Sequence, residues 1–589
     1  MKLFIVLLTG AFMLATGTSD VFAKKKEKVQ TEAKSDTVRT ASKKRNTQYP
    51  RLFKNKRVVT KKGLITIHKI DDKLYFEFPK SLLGREFLMG SSISATSDNT
   101  SGLVGQTMTT PLHIRFAIQE DQVYMQNVTP VSRMDVYSNQ SDISKAVAKS
   151  NITPDMESFK IAAYNMDSTA VVFEVTKFFL ADNKRLPLFD QNSSSLEDEK
   201  YGQLELKAVL KKNLSSIRNF YVFDDNLEIN LDMSFYQSLL ASKKEVRGGN
   251  VRVKAVYSML LLPEETMVWR LGDPRLGYTF TKKQKISTEK DGTAFSYLQH
   301  KWNLLPADEE AYRRGDLVAP RKPVVFYIDS DFPEAWKKAI KEGVNWWNEA
   351  FKMAGFKDAV QTADFPANDT TFYAGNLKYS CIRYVPVNLS KTQSKVWVDP
   401  RSGEIINGTI FVGHDIAKTI ASQRFVQTAQ VDERMRGIQL SEEVLLEGIR
   451  LYVAREVGHC LGLADNASAS AAFSVESLRS PEFTRQNGIA SSVMDELPYN
   501  YIAQPQDGKA DFIQNKLGAY DLFAIQMGYM LVPDAKTPEE IREKIMRWVS
   551  MKSGDPVYRY GKAQYQGAEY DPSALGGDLG NNAVKAGKY

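Results

Sequence analysis

Residues 453–466 read VAREVGHCLGLADN. The residues before them, SEEVLLEGIRLY (441–452), supply what a helix start needs. Ser441 can cap the first turn, and Glu442 and Glu443 sit at the positive end of the helix dipole. One helix over 441–463 is therefore expected. On it, residues four apart share a face, so positions 455 and 459 point the same way with Glu456 beside them. Gly462 comes three residues after His459, where glycine lets the chain turn, and Asp465 comes three residues later. Two metal ligands at this spacing, a carboxylate beside the first and a third ligand brought back after a glycine are the parts of a hydrolytic zinc site, with the glutamate as general base. One position breaks the pattern: Arg455 stands at the first ligand position.

A guanidinium keeps its proton at any accessible pH and offers donors but no lone pair, so it cannot ligate a metal. It also sets a cation beside a dication. At about 4 Å and an effective dielectric near 20, that repulsion is on the order of 8 kcal/mol. With His459 and Asp465 alone the site is one ligand short of the usual three, and zinc binding is expected to be badly weakened. The two departures suggest a link: Arg455 could form a bidentate pair with Asp465, or with Glu456, a salt bridge neutralising what a metal once did. The alternative is that Asp465 is a solvated residue of the polar DNASAS loop. Of the other histidines, His68 and His113 fall on strands of the N-terminal part and His300 precedes a connecting segment; His414, just after a hairpin strand, is the one placed to approach the cleft. Cys460 points about 100° away from His459 on the helix and is expected in the core. Cys381 and Cys460 are the two cysteines of the chain, read as two separate buried thiols rather than a disulfide.

The chain has 589 residues with a net charge of +8. That length calls for several domains. Much of the positive excess lies in KKKEKVQTEAKSDTVRTASKKR (24–45), which has no aromatic residue and is expected to be a disordered tether over 24–48. No other basic run makes a nucleic-acid footprint, so no nucleic-acid partner is expected. MKLFIVLLTGAFMLATGTSDVFA (1–23) has Lys2, an apolar stretch from Leu3 to about Gly17 and small residues before Ala23. It reads as a secretory signal peptide cut near Ala23, leaving no transmembrane segment and a secreted or periplasmic protein.

Strand-like alternation dominates from Tyr49 to Pro263: LITIHKI (64–70), KLYFEF (73–78), HIRFAI (113–118), QVYMQNV (122–128), TAVVFEV (169–175) and VRVKAVYSMLLL (251–262). Two β-rich modules are expected, 49–150 and 151–300, with LGDPRLGY (271–278) a turn-rich hinge and 301–322 a connector. From 323 to 535 the texture changes. PVVFYID (323–329) reads as a strand and 331–356 as a helix ended by Gly355; KVWVDP (395–400) and EIINGTIFV (404–412) read as a hairpin before the site helix. The fold class expected is α+β multidomain, β-rich modules followed by an α/β unit.

SSVMDE (491–496) adds a second element. With Met494 at its centre, it resembles the methionine turn beneath the metal in the metzincin clan of zinc endopeptidases, and the Glu456, His459, Gly462, Asp465 frame is similar to that clan's site. The likeness extends further. SLLGREFL (81–88), LGDPRLGYTF (271–280), VVFYIDSDFP (324–333), WNEAFKMAGF (347–356), VDPRSGEI (398–405), SLRSPEFTR (477–485) and SVMDELPYNYIAQPQDG (492–508) resemble blocks of the large secreted bacterial zinc-dependent metalloproteases that carry two N-terminal domains of unknown function. That resemblance implies a metzincin-like peptidase domain over 323–535. It also implies a hairpin whose residues Val398, Asp399, Pro400, Arg401, Gly403, Glu404 and Ile405 border the substrate cleft, and zinc as the family's metal. In those relatives the helix carries His at the position of Arg455 and His at that of Asp465, so both outer ligands depart here. The relatives also run on past a segment like DLGNNAVKAGKY, so 536–589 is expected to be a shortened extension. Three functions follow as expectations. The first is a pseudopeptidase that binds a polypeptide without cutting it, by strand addition along the hairpin edge. The second is an active zinc endopeptidase using His459, Asp465 and a further ligand, with Glu456 as base. The third is an architectural envelope protein whose β-rich front does the binding.

Overall fold

The computed structural model describes residues 48–589 apart from 100–101, 106, 130–133, 137–144, 147–148, 190–195, 199, 201, 287–293, 370–371, 388–391, 497–498, 563 and 565–569. The segment read as a signal peptide (1–23) and all but the last residue of the one read as a basic linker (24–48) lie outside the described residues. No helix among the described residues is long and apolar enough to cross a membrane.

Alternating apolar residues in the N-terminal part build one antiparallel sheet of thirteen strands among the described residues. The hairpins expected from the sequence are present, as Thr66–Ile70 with Lys73–Pro79 and Leu112–Gln119 with Gln122–Asn127. Strands Asp155–Tyr164 and Ala170–Glu174 lie between those two hairpins, and the long ribbon Asn226–Ala241 with Lys244–Leu261 pairs onto Glu86–Thr96. Strands from both sides of residue 150 thus alternate in a single sheet, and no sheet boundary falls at the border expected there. Its main core includes Phe78, Phe87, Phe116 and Phe173, with Phe78 and Phe116 each in ring contact with the other three. Each such buried side chain contributes roughly 1.5–3 kcal/mol relative to exposure. The sheet curls far enough for Leu64 N to donate to Phe223 O at 2.7 Å and Lys69 Nζ to Ile217 O at 2.7 Å.

The second unit is a five-stranded sheet in the order Val360–Asp364, Val324–Ile328, Ser380–Val385, Ile405–Gly413, Thr392–Val398. All neighbours are parallel except the last pair, which makes Thr392–Val398 an antiparallel edge strand. The helix expected over 331–356 occurs as Glu334–Asn345 and Trp347–Met353, joined at Trp346 and followed by Gly355 at φ +88. Glu334–Asn345 crosses the site helix closely, because a Cβ on Gly343 would lie 2.5 Å from Arg450 O. Trp347 locks the crossing by donating Nε1–H to Ala454 O at 2.8 Å. The two cysteines are free and buried, in line with separate thiols.

The segments read as hinge, connector and extension are all packed into this unit. Within the hinge, Gly277 N donates to Tyr520 OH and Tyr278 OH to Ala524 O, docking it on helix Ala519–Tyr529. Just before it, the buried guanidinium of Arg270 donates to Met527 O and Met530 O at the carboxyl end of the same helix, where cations are favoured. In the connector, Lys301 N donates to Gly403 O and Ile405 N to Lys301 O, while Trp302 Nε1 donates to Cys460 O at the end of the site helix. In the extension, Ala467 N donates to Gly561 O and Gly580 N to Ser470 O, so Gly561 and Gly580 tie it to the loop that follows the site helix.

Candidate metal centre

The site helix runs Glu442–Cys460, with Ser441 Oγ accepting from Val444 N as its cap. It ends as the glycine predicts. Gly462 N donates to His459 O and Leu463 N to Gly458 O, the paired bonds of a Schellman turn, with Gly462 at φ +94. A Cβ there would lie 2.2 Å from His300 O, so the residue is required both by its torsion and by the passing connector. The turn carries the chain back over the helix and brings Asp465 to it.

Arg455 Nη2 donates to Asp465 Oδ1 at 2.6 Å, and its Nη1 lies 3.9 Å from Glu456 Oε1. The contact to Asp465 uses one guanidinium nitrogen rather than the two-pronged form expected, and among the described residues the buried Arg455 Nε finds no hydrogen-bond partner. His459 Nε2 lies 3.3 Å from the same Asp465 Oδ1, while its Nδ1 pairs with Leu463 O at 2.9 Å. One carboxylate oxygen is thus shared by the guanidinium and the imidazole. Burial alone would raise the Asp465 carboxyl, but the His459 hydrogen bond and the Arg455 charge together hold it below the usual carboxylate range. The bond from Nδ1 to a backbone carbonyl fixes the ring so that Nε2 faces the group, the orientation a metal-ligating histidine requires.

Glu456 is 5 % exposed and accepts from Thr392 Oγ1, at the start of the edge strand, at 3.1 Å. The hairpin residues behave differently. Asp399 is 0 % exposed and is held by Arg401 through Nε and Nη2, while Arg401 Nη2 also donates to Pro263 O and its Nη1 lies 3.7 Å from Glu86. Gly403, at φ +79, has room for no Cβ against Gln299 O. The turn between Val398 and Ile405 therefore rests on the front sheet and the connector. The strand leading to it runs beside the site helix.

Met494 is fully buried beneath the helix. A Cβ on Gly458 would lie 2.3 Å from its Sδ, so Gly458 and Met494 require each other. The turn around it hangs on Asp521, which accepts from Ser492 Oγ, Val493 N and Gly518 N. Met494 O accepts from Asn466 N, which ties this turn to the residue after Asp465. Thr392, Asn466 and Asp521 were not singled out by sequence; each is a polar residue whose role depends on a partner at least 28 positions away.

The other histidines have partners of their own. His68 pairs with Thr60 and Glu77, His113 with Glu86, and His300 with Thr279 and Thr281, its burial pulling it down to about 4. His414 contacts Tyr384 at 2.5 Å and stacks on Trp336. Among the described residues no three His, Cys, Asp or Glu side chains are arranged to hold a metal ion. The donor set at the expected centre does not fit zinc either: one imidazole nitrogen and one carboxylate remain, and that carboxylate is already engaged by a permanent cation.

A family model described as Met-zincin matches residues 437–589, which include Arg455, Glu456, His459, Asp465 and Met494. Two models described as domains of unknown function match residues 105–307 and 47–96. The hairpin residues 398–405 lie between the matched segments. Comparison with curated proteins and with solved structures gives no match. With a buried methionine under a helix that carries Glu456 and His459, and with this order of matched segments, the chain carries a C-terminal Met-zincin domain preceded by two domains of unknown function.

Proposed function

We propose that this chain is a pseudopeptidase: an exported member of its family that binds a polypeptide beside the site helix and does not cut it. The observation that carries the reading is the 2.6 Å contact between Arg455 and Asp465, in which one ligand position has become a cation and the other its counter-ion. The polypeptide would add as a strand along the edge strand Thr392–Val398, whose far side is unpaired among the described residues. The mature protein is proposed to be secreted or periplasmic, released from a signal peptide cut near Ala23.

A second reading, an active zinc endopeptidase with His459, Asp465 and a further ligand, draws support from Glu456. That acid is retained, buried and bonded to Thr392 with no base of its own within 3.5 Å, a costly placement for a group without a task. Zinc content of the purified protein by mass spectrometry separates the two readings. Well under one equivalent after mild chelation is expected, and about one equivalent retained would refute the pseudopeptidase.

A further inference from the structure

The face of the five-stranded sheet turned away from the site helix carries a second constellation. In register, Arg383 lies beside Phe411, and Lys395 beside Thr409. Side chains two apart on a strand share a face, so these four stand together, while their neighbours Ile382 and Ile410 pack into the helix-side core. The front sheet stands opposite. Between the two units lies a cavity of about 500 Å³ whose lining includes Glu228, Phe372, Tyr373, Arg383, Lys395 and Phe411.

Its charges do not balance. Glu228 is the acid, and its Oε1 already accepts from Tyr373 OH at 2.6 Å and Asn230 Nδ2 at 2.7 Å. Burial pushes its carboxyl up, against the pull of those two hydrogen bonds. Arg383 and Lys395 face it as two cations, and among the described residues neither side chain has a hydrogen bond or ion pair within bonding distance. Lys395 has its ammonium 5.1 Å from the centre of the Trp397 ring, and desolvation pulls it down to about 8. An ammonium and a guanidinium side by side in a partly buried cleft are costly unless an anion meets them. A chamber between two structural units, lined in part by aromatic rings and with a few converging polar groups, is also where small ligands bind.

We propose that this cavity binds a small organic carboxylate with an aromatic or apolar body, its anionic end between Arg383 and Lys395 and its body against Phe372, Tyr373 and Phe411. The site is separate from the metal centre and stands whether or not that centre is active. Charge-assisted hydrogen bonds give the carboxylate its preference over a neutral analogue of the same shape.

The test is calorimetric titration of the full chain with N-acetyltryptophan and, in parallel, with N-acetyltryptophanamide. Saturable binding of the acid is expected, with the amide weaker by about tenfold or more. Lys395→Met and Arg383→Gln should each weaken the acid by about tenfold and leave the amide unchanged. Absence of saturable acid binding, or equal binding of acid and amide, overturns the proposal. So does an acid preference that survives both substitutions. Should a variant fail to fold, the comparison of acid with amide on the unaltered chain decides alone.

Discussion

Replacing both outer positions, Arg455→His together with Asp465→His, tests the central claim. In the present geometry the guanidinium lies 2.6 Å from Asp465 and 3.9 Å from Glu456, so it occupies the centre of the group. A dication brought within about 4 Å of it meets about 8 kcal/mol of repulsion at an effective dielectric near 20. The Asp465 side chain is 43 % exposed, so solvent and its own negative charge offset part of that. Taking about half as the remainder leaves about 4 kcal/mol, which is roughly a thousandfold in affinity. The double variant removes that term and supplies three imidazoles in place of one. The assay is zinc competition against a chromogenic chelator, run on both forms, with circular dichroism to show that the fold persists. The variant should hold about one equivalent with an affinity roughly a thousandfold above that of the unaltered chain. A folded variant that stays metal-free, or affinities within about tenfold of one another, would show that charge at residue 455 is not what closes the site.

Two further outcomes follow from the same contacts. Asp465→Asn removes the acceptor shared by Arg455 and His459. Because the folded-state carboxyl is held below its ordinary value, its stabilisation is present above about pH 4 and lost as the pH falls further. The variant should therefore be less stable than the unaltered chain by about 1 kcal/mol at pH 7, a gap that narrows below about pH 4. Melting curves across that range check it, and a gap that keeps its size at about pH 3 counts against the pair. Arg401→Met leaves the carboxylate of Asp399, 0 % exposed, without its cation and cuts the tie to Pro263 O. A loss of about 3 kcal/mol in urea denaturation is expected; unchanged stability would mean that the turn is held by its backbone bonds alone.

What could be read from the sequence was local. The site helix declared itself through Ser441, its acidic first turn and Gly462, because caps and glycine turns depend on neighbours a few residues away. The hairpin and the Val324–Ile328 strand were legible for the same reason. Met494 was legible by resemblance, and its contact with Gly458 gives that resemblance a steric basis. The ribbon strand Asn226–Ala241 carries the same alternation as its partner Lys244–Leu261. What could not be read was long-range. Nothing local says that Thr392 reaches Glu456, that Trp302 meets the end of the site helix, or that strands on both sides of residue 150 share a sheet. The Arg455 contact was half legible: charge suggested the partner, but only geometry shows a single oxygen shared with His459.

The mooring of the hairpin turn on Glu86, Pro263 and the connector bears on how such a molecule could be matured. In a protein whose N-terminal part were merely a cover, one proteolytic nick would liberate a finished C-terminal unit. Here the same nick would strip the backing from Trp397 and Phe411, leave the Lys395 ammonium without the acid opposite it, and loosen the strand that meets Glu456. The front half is part of the chassis on which the site is mounted, and trimming it away would dismantle what it was meant to release.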